Sequence, residues 1–153
     1  MKILFVCTGN ICRSPTAAAI LKKMIFDKSL SKDVIIDSAG TFGMYKPTPP
    51  EKGMVKVAET FGYEITGFSK KVTTDDLNSS DLIICMDESN IADIKRIISK
   101  EEMAKLHRFV EYINNPEQKY IPDPTESNNS EYIFTFKLIE EGCKNLLKQI
   151  IKI

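Results

Sequence analysis

A short segment near the start of the chain combines a thiol, a guanidinium and a turn-forming loop: Cys7-Thr8-Gly9-Asn10-Ile11-Cys12-Arg13-Ser14-Pro15. If a helix follows such a loop directly, the loop's backbone N–H groups converge on one point, where the helix dipole also stabilises an anion. The same field favours the thiolate of Cys7, which is the nucleophilic form of cysteine. Arg13 offers a planar fork for two phosphate oxygens. The segment therefore predicts a phosphate site with a nucleophilic sulfur at its centre.

The residues around this segment predict a strand, a loop and a helix. The apolar run Ile3-Leu4-Phe5-Val6 precedes it and indicates a strand. Ser14 and Pro15 are typical of a helix start, with the Ser14 hydroxyl expected to cap the first turn. Gly9 is expected to adopt a backbone angle closed to other residues.

Apolar runs alternate with segments of helical periodicity along the rest of the chain. Strands are predicted over residues 2–6, 34–37, 82–86 and 106–112. This alternation predicts an α/β fold, with a four-stranded parallel sheet, helices on both faces and the phosphate-binding loop after the first strand. With 153 residues, of which 42% are hydrophobic, we expect one domain over residues 1–153.

The predicted topology also indicates which loops surround the site. In an open parallel sheet, ligands bind beyond the carboxyl ends of the strands. The Cys7 loop, the loop over 40–50 and the loop around Asp123 all follow predicted strands. We therefore expect the three loops to meet over one pocket.

The Cys7 loop resembles the signature of the low-molecular-weight protein tyrosine phosphatases, C-x-G-N-x-C-R-S-P, at every fixed position. Three later segments resemble further landmarks of that family, in the same order and at similar spacing: Ile36-Asp37-Ser38-Ala39-Gly40-Thr41, Ile84-Cys85-Met86-Asp87-Glu88-Ser89-Asn90 and Ile121-Pro122-Asp123-Pro124. The resemblance covers nearly the whole chain. It implies hydrolysis of protein phosphotyrosine and small aryl phosphates through a phosphocysteine intermediate, without a cofactor, and inhibition by inorganic phosphate or vanadate.

The resemblance also implies a role for each catalytic residue. Cys7 would be the nucleophile, Arg13 would bind phosphate together with the loop amides, and Asp123 would act first as acid and then as base. Ser14 would donate toward the Cys7 sulfur. Taken without the resemblance, Asp123 is a weak candidate, because an Asp-Pro pair in a loop is usually a turn. The predicted phosphate-binding residues are Thr8, Gly9, Asn10, Ile11, Cys12, Arg13 and Ser14.

Two further positions resemble supporting residues of the family. Asn10 and Ser38 match a pair whose side chains hold the loop in shape, although ordinary turn hydrogen bonding is the alternative. Cys12 matches a cysteine that forms a reversible disulfide with the nucleophile, here Cys7, and so limits over-oxidation. A small buried side chain that only fills space is the alternative for Cys12.

The chain departs from the family pattern beside Asp123. Members usually carry aromatic residues there, which form a wall against the ring of the substrate, whereas this chain has Thr125-Glu126. Tyr132 or Tyr45 could supply the wall instead. The residues expected at the pocket rim are Ile11, Met44, Tyr45 and Thr125.

Other functions fit parts of the pattern. An arsenate reductase on this fold needs paired resolving cysteines after the third strand, and Cys85 has no second cysteine nearby. A related protein arginine phosphatase carries Thr at the position of Ile11, and the apolar Ile11 suits an aryl ring better than a guanidinium. A non-catalytic phosphate-binding or redox-sensing module would need neither Cys7 nor Asp123.

Composition excludes some broad classes. Lys plus Arg and Asp plus Glu each total 21, with a pI near 6.6, so no overall field attracts nucleic acid or an anionic membrane. The N-terminal apolar stretch is short for a signal peptide, and no run approaches the roughly 18 apolar residues of a membrane span. Four cysteines without a secretion signal or zinc-site spacing indicate a reduced, metal-free, cytoplasmic protein.

Overall fold

A parallel β-sheet forms the centre of the fold. In a computed structural model of the chain, which describes residues 1–152, the strands are β1 (Lys2–Cys7), β2 (Ile35–Gly40), β3 (Leu82–Cys85) and β4 (Leu106–Arg108). Their order is β2-β1-β3-β4, and every pair is parallel. The predicted α/β fold with a four-stranded parallel sheet is therefore confirmed. The domain predicted over 1–153 extends to Ile153, which lies outside the described residues.

Within residues 1–152, five α-helices connect and cover the strands. They are α1 (Arg13–Asp27), α2 (Lys52–Thr60), α3 (Thr74–Ser79), α4 (Glu88–Lys95) and α5 (Asn129–Ile151). Short 3-10 helices span Lys100–Lys105 and Phe109–Tyr112. The last strand is therefore shorter than the predicted 106–112. Its second half turns into a 3-10 helix because Phe109 and Tyr112, three positions apart, both enter the core, while the Glu111 side chain accepts from the Arg108 N–H.

Strand β1 is buried on both faces, which explains its unbroken apolar run. Ile3, Phe5 and Cys7 belong to a core that also contains the inner faces of α1, α2 and α5. Leu4 and Val6 point the other way, into a smaller core shared with α3 and α4. Helices thus cover both faces of the sheet, as predicted, and the last residue of β1 lies on the side of α1 and α5.

Helix α5 holds α1, and with it the Cys7 loop, against the sheet. The Cys143 thiol on α5 is buried and donates to the Ala17 carbonyl of α1 at 3.6 Å. Phe136 stacks on Phe61 beyond the end of α2, with ring centroids 5.0 Å apart. The Cys143 and Phe136 side chains are fully buried, so α5 is packed firmly against its neighbours and leaves α1 little freedom to shift.

Candidate active site

Cys7 is the last residue of β1, and the following loop leads straight into α1. Its side chain belongs to the buried core, with 2% of the residue exposed. Helix α1 begins at Arg13, its N-cap is Cys12, and no side chain caps it. The predicted strand, loop and helix are therefore present, and Pro15 lies in the first turn. The predicted capping role of Ser14 is wrong, because Ser14 is already inside the helix.

The Ser14 hydroxyl lies beside the Cys7 sulfur instead. Their Oγ and Sγ atoms are 3.0 Å apart in a fully buried contact. Ser14 Oγ also accepts from Asn10 Nδ2 at 2.9 Å, so its own hydrogen remains to be donated. The only other acceptor near it among the described residues is the Ala39 carbonyl, at 3.5 Å. This geometry favours donation from Ser14 to the sulfur of Cys7.

Asn10 organises the loop through its backbone and its side chain. Its φ of 55° is left-handed, whereas Gly9 is not in that region, so the expectation that Gly9 would supply the special angle is wrong. In the Asn10 side chain, Nδ2 donates to Ser38 Oγ at 3.0 Å and Oδ1 accepts from the Lys70 backbone N–H at 2.9 Å. An asparagine tolerates a left-handed backbone, and these contacts hold it there.

The loop's backbone carbonyls and amides face different partners. The carbonyls of Cys7, Thr8 and Ile11 accept from the N–H groups of residues 41, 42 and 51, at 2.9, 2.9 and 2.7 Å. Within residues 1–152, by contrast, the N–H groups of residues 9–12 donate to no protein group. Because backbone N–H groups are rarely left without an acceptor, four successive free donors describe a ready anion site.

Gly40 allows the second loop to lie against the Cys7 loop. It pairs with Cys7 in the register of β1 and β2. A Cβ at this position would lie 2.6 Å from the Thr8 carbonyl oxygen and 3.1 Å from the Asn10 nitrogen. Only glycine permits this approach, so the loop over 40–50 contacts the Cys7 loop as expected.

Arg13 is buried and joins the Cys7 loop to two distant segments. Its guanidinium donates to Asp87 Oδ2 at 2.6 Å and to the Ile121 carbonyl at 3.0 Å, and it lies 3.7 Å from Asp123 Oδ2. Burial acts against the charged form of Arg13, but Cys7 and Asp87 outweigh it, and the pKa of Arg13 is raised. Arg13 is therefore a fixed cation beside the Cys7 sulfur.

Asp87 and Asn90 are residues of this site whose roles the sequence did not reveal. Asp87 caps α4 by accepting from the Asn90 N–H, and Asn90 in turn donates to Thr8 Oγ1 at 3.2 Å. Burial raises the pKa of Asp87, but the hydrogen bonds from Arg13, Asn90 and Ser89 outweigh it and lower the pKa. The Asp-x-x-Asn spacing after an apolar run was the available signal, since it is typical of a helix cap after a strand.

Asp123 lies on the same side of the sheet but in a more open setting. Its side chain is 49% exposed. Thr125 donates to Asp123 Oδ1 through both its hydroxyl, at 2.7 Å, and its N–H, at 3.1 Å. Glu126, three residues after Asp123, has a left-handed φ of 65°. The loop thus turns sharply after Asp123 and leaves the carboxylate within reach of solvent and of Arg13.

Cys12 is a buried thiol that belongs to the same core cluster as Cys7. Burial raises its pKa, and the negative charge of Asp123 and the neighbouring Cys7 act in the same direction. Cys12 is therefore a protonated thiol at neutral pH. All four cysteines are free thiols in the structure. The protective disulfide between Cys12 and Cys7 stays a prediction.

The predicted rim residues occupy different surroundings. Ile11 is half-buried, and the Met44 sulfur lies near Gly9, 3.7 Å from where a Cβ would stand. Tyr45 is fully exposed. Tyr132 is buried against Gly53 and so presents almost no ring surface to a substrate. Burial, followed by its hydrogen bond to Glu51, raises the pKa of Tyr132 to about 12.

Phe42 is a rim residue that the sequence did not reveal. Its N–H donates to the Thr8 carbonyl at 2.9 Å, and its ring is 64% exposed. Phe42 therefore carries an exposed ring on a segment that is hydrogen-bonded to the Cys7 loop, whereas Tyr132 is buried. Its position after Gly40-Thr41 was the only signal available.

The described residues provide little for a metal ion or a membrane. No group of three or more His, Cys, Asp or Glu side chains within residues 1–152 is arranged to hold a metal. Over the same residues, none of the helices has the length and apolar character needed to cross a membrane. The chemistry available at this site is that of a thiol, a guanidinium, a hydroxyl and a carboxylate.

Comparison with known proteins places this geometry in a family. The model of the family "Low molecular weight phosphotyrosine protein phosphatase" matches residues 2–153. The low molecular weight protein-tyrosine-phosphatase YfkJ of Bacillus subtilis is 33% identical over 153 residues, covering 99% of this chain and 97% of that protein. A crystal structure of a protein tyrosine phosphatase from Entamoeba histolytica matches with a TM-score of 0.94 and 31% identity, covering 99% of this chain and 97% of that one. The arginine phosphatase YwlE, solved as a mutant with a phosphorylated active site serine, matches with a TM-score of 0.87 and 27% identity, covering 99% and 97%.

Proposed function

This chain belongs to the low molecular weight phosphotyrosine protein phosphatase family, and from that premise we propose that it hydrolyses phosphotyrosine in proteins through a phosphocysteine intermediate. The observation that carries the proposal is the arrangement of the Cys7 loop. Its carbonyls are bonded outward, the N–H groups of residues 9–12 have no acceptor among the described residues, and a thiol lies at the loop's start. Such a loop suits a bound phosphoryl group and a sulfur nucleophile.

In the first step, the Cys7 thiolate attacks phosphorus, a sulfur–phosphorus bond forms, and the bond from phosphorus to the phenolic oxygen breaks. The loop amides and Arg13 balance the charge on the three non-bridging oxygens. Asp123 gives its proton to the departing oxygen, so tyrosine leaves as a neutral phenol. The 3.7 Å separation of Arg13 and Asp123 supports a common location for phosphate and acid.

In the second step, water attacks the phosphorus of phosphocysteine. Asp123, now a carboxylate, takes a proton from that water, and the sulfur–phosphorus bond breaks to release inorganic phosphate and the Cys7 thiolate. The Ser14 hydroxyl, 3.0 Å from the sulfur, stabilises the leaving thiolate by hydrogen bonding. The phosphorylated active site serine in the YwlE mutant supports transfer of a phosphoryl group to this position of the fold.

The partners implied by this function are phosphorylated proteins. Inorganic phosphate and vanadate are expected to compete for the Cys7 loop as product and analogue, and no cofactor is required. A cytoplasmic location remains a prediction from the sequence.

Phosphoarginine is the second candidate substrate, because the arginine phosphatase YwlE shares the fold along 99% of this chain. Ile11 bears on the choice, since it is half-buried at the loop that receives the substrate. An apolar side chain there favours a flat ring over a guanidinium, which would leave its N–H groups unpaired. We therefore rank phosphotyrosine first.

The test is hydrolysis of para-nitrophenyl phosphate in the presence of a chelator. Wild type is expected to turn over, and Cys7→Ser to lose at least about 10⁴-fold in kcat while still binding phosphate or vanadate, because the loop amides remain. Cys85→Ala, which removes a buried thiol outside the loop, serves as the matched control and should retain activity. Undiminished turnover by Cys7→Ser would exclude the proposed nucleophile.

Substrate choice is tested with phosphotyrosine and phosphoarginine peptides of the same sequence. We expect higher kcat/KM for phosphotyrosine in the wild type, and a shift toward phosphoarginine in Ile11→Thr. Preference for phosphoarginine in the wild type would put the second candidate first.

A further inference from the structure

A groove runs alongside Asp123, outside the Cys7 loop. Its volume is about 550 Å³, and it is lined by residues 117–120, by 122–124 and by the first turns of α5. Asp123 belongs both to this groove and to the surroundings of Arg13. A polypeptide bound with its phosphorylated residue over the Cys7 loop would therefore continue directly into the groove.

The groove presents aromatic surface to solvent. Tyr120 and Phe134 line it, and each is 52% exposed. A partner that covers half-exposed rings in a concave surface binds favourably, because burying their remaining area removes apolar surface from water. The groove thus offers two positions for the apolar or alkyl parts of a partner.

The charge on the groove is negative. Glu117 and Glu131 line it, and within residues 1–152 neither carboxylate forms an ion pair. The one cation of the lining, Lys119, donates its Nζ to the Pro116 carbonyl at 2.7 Å and so folds back on its own loop. At the start of α5 the Glu131 N–H is taken by Asn128, which reduces any attraction for an anion there.

Internal hydrogen bonds build the groove in advance. Gln118 Nε2 donates to the Tyr120 carbonyl at 2.6 Å and fixes the turn on one side. On the other side, Thr135 Oγ1 donates to the Pro122 carbonyl at 3.2 Å and ties α5 to the Asp123 segment. Little ordering is left to be done on binding, which favours a recognition surface over a flexible flap.

We propose that this groove binds the polypeptide flanking the phosphorylated residue and selects segments that contain Lys or Arg. The inference rests on the proposed function, because the groove is useful only next to a site that accepts a phosphorylated protein. Lys and Arg place an alkyl stem on Tyr120 and Phe134 and a charge beside Glu117 and Glu131. Acidic flanking segments would be repelled by the same carboxylates.

The experiment compares two phosphotyrosine peptides that differ only in carrying two Lys or two Glu beside the phosphotyrosine, with para-nitrophenyl phosphate as a substrate too small to reach the groove. For the wild type, we expect kcat/KM to be about tenfold higher for the Lys peptide. In the double variant Glu117→Gln and Glu131→Gln, we expect that ratio to fall at least about threefold. Hydrolysis of para-nitrophenyl phosphate should stay unchanged.

Matched controls separate the groove from general effects of charge and apolar area. Glu101→Gln removes an exposed carboxylate that does not line the groove and should keep the wild-type ratio. Phe134→Ala should lower kcat/KM for the Lys peptide about fivefold. Phe26→Ala, which removes a ring 71% exposed at the far end of α1, should not.

The outcomes distinguish this inference from the proposed function. Equal kcat/KM for the two peptides, with normal hydrolysis of para-nitrophenyl phosphate, would overturn the groove and leave the phosphatase intact. A Lys preference that survives the double variant would also overturn it. Absence of hydrolysis with every substrate would overturn the proposed function and the inference together.

Discussion

The Cys7 loop and the Asp123 loop, which carry the proposed nucleophile and the proposed acid, differ in how their polar side chains are buried and bonded. Around Cys7 the polar side chains are buried: Asn10 is 4% exposed, Arg13 3% and Ser14 0%. Asn10 and Arg13 bond to residues far away in the chain, and Ser14 bonds to Asn10 and to the Cys7 sulfur. The Asp123 side chain is 49% exposed, and its hydrogen bonds reach only to Thr125, two residues away.

The difference follows from what each loop must do. Phosphate oxygens are stabilised only if the donors already point at them, so the loop that binds phosphate must be rigid. The acid must meet leaving groups of different shapes and then a water molecule, which requires access. The contrast therefore separates a rigid loop, proposed to bind the phosphoryl group of any substrate, from an open carboxylate, proposed as the acid, whose surroundings can vary, as Thr125-Glu126 illustrates.

Among changes that leave the Cys7 thiol in place, the largest effect is expected from replacing Asp123 on the open side. Asp123→Asn keeps the shape but removes the transferable proton, so kcat should fall by about 10²- to 10³-fold for phenyl phosphate, whose leaving group is poor. For para-nitrophenyl phosphate the loss should be much smaller, since that phenolate leaves readily. Steady-state kinetics on both esters measure the difference. Equal losses on the two esters would mean that Asp123 is not the acid.

A smaller effect is expected from breaking the rigid side without touching a reacting group. Gly40→Ala places a Cβ 2.6 Å from the Thr8 carbonyl oxygen, which must move. The free energy of unfolding should fall by about 2 kcal/mol and phosphate binding should weaken, because overpacking displaces the loop. Urea unfolding and phosphate titration measure both. Gly43→Ala is the control, since its Cβ would meet only the flexible Lys71 side chain. If Gly40→Ala binds phosphate as well as the wild type, the Cys7 loop tolerates displacement and is not rigid.

The smallest effect sharpens the comparison through pH. Because the pKa of Asp87 lies below its ordinary value of 3.8 in the folded protein, its contribution is fully present above pH 3.8 and is lost as the pH falls through the folded-state pKa. Asp87→Asn should therefore lower the free energy of unfolding by about 1.5 kcal/mol at neutral pH. The difference from wild type should shrink below pH 3.8. Urea unfolding at several pH values tests this, and a pH-independent difference would assign Asp87 to packing alone.

Local sequence was enough to predict the four strands, with β4 shorter than expected, and the place of Cys7 at the end of the first strand. Strand β1, the Cys7 loop and α1 follow one another directly along the chain. The alternation of apolar runs with helical periodicity predicted the parallel sheet. The misassigned residues are those whose conformation depends on distant partners. Asn10 rather than Gly9 takes the left-handed angle because its side chain is hydrogen-bonded to Ser38 Oγ and to the Lys70 N–H.

The same reason explains the site residues that the sequence did not reveal. In the sequence, Asp87 has the pattern of an ordinary helix cap. Only the pairing of β3 with β1 brings its carboxylate to Arg13. Tyr132, considered as an aromatic wall, is turned inward by α5 and packs on Gly53. Ser14 has a residue type suited to capping, but the helix begins one residue before it.

The contacts of Arg13 also set the order in which a newly made chain acquires its chemistry. The partners of the Asn10 side chain lie no further along the chain than Lys70, whereas Thr8 bonds to Asn90, and Arg13 is oriented by Asp87 and by Ile121, 108 positions beyond it. A growing chain can therefore form the Asn10 contacts of the loop before the Arg13 guanidinium is oriented. During synthesis Arg13 stays without these contacts until residues 87–121 have been made, so we expect unfinished chains to lack the proposed phosphatase activity.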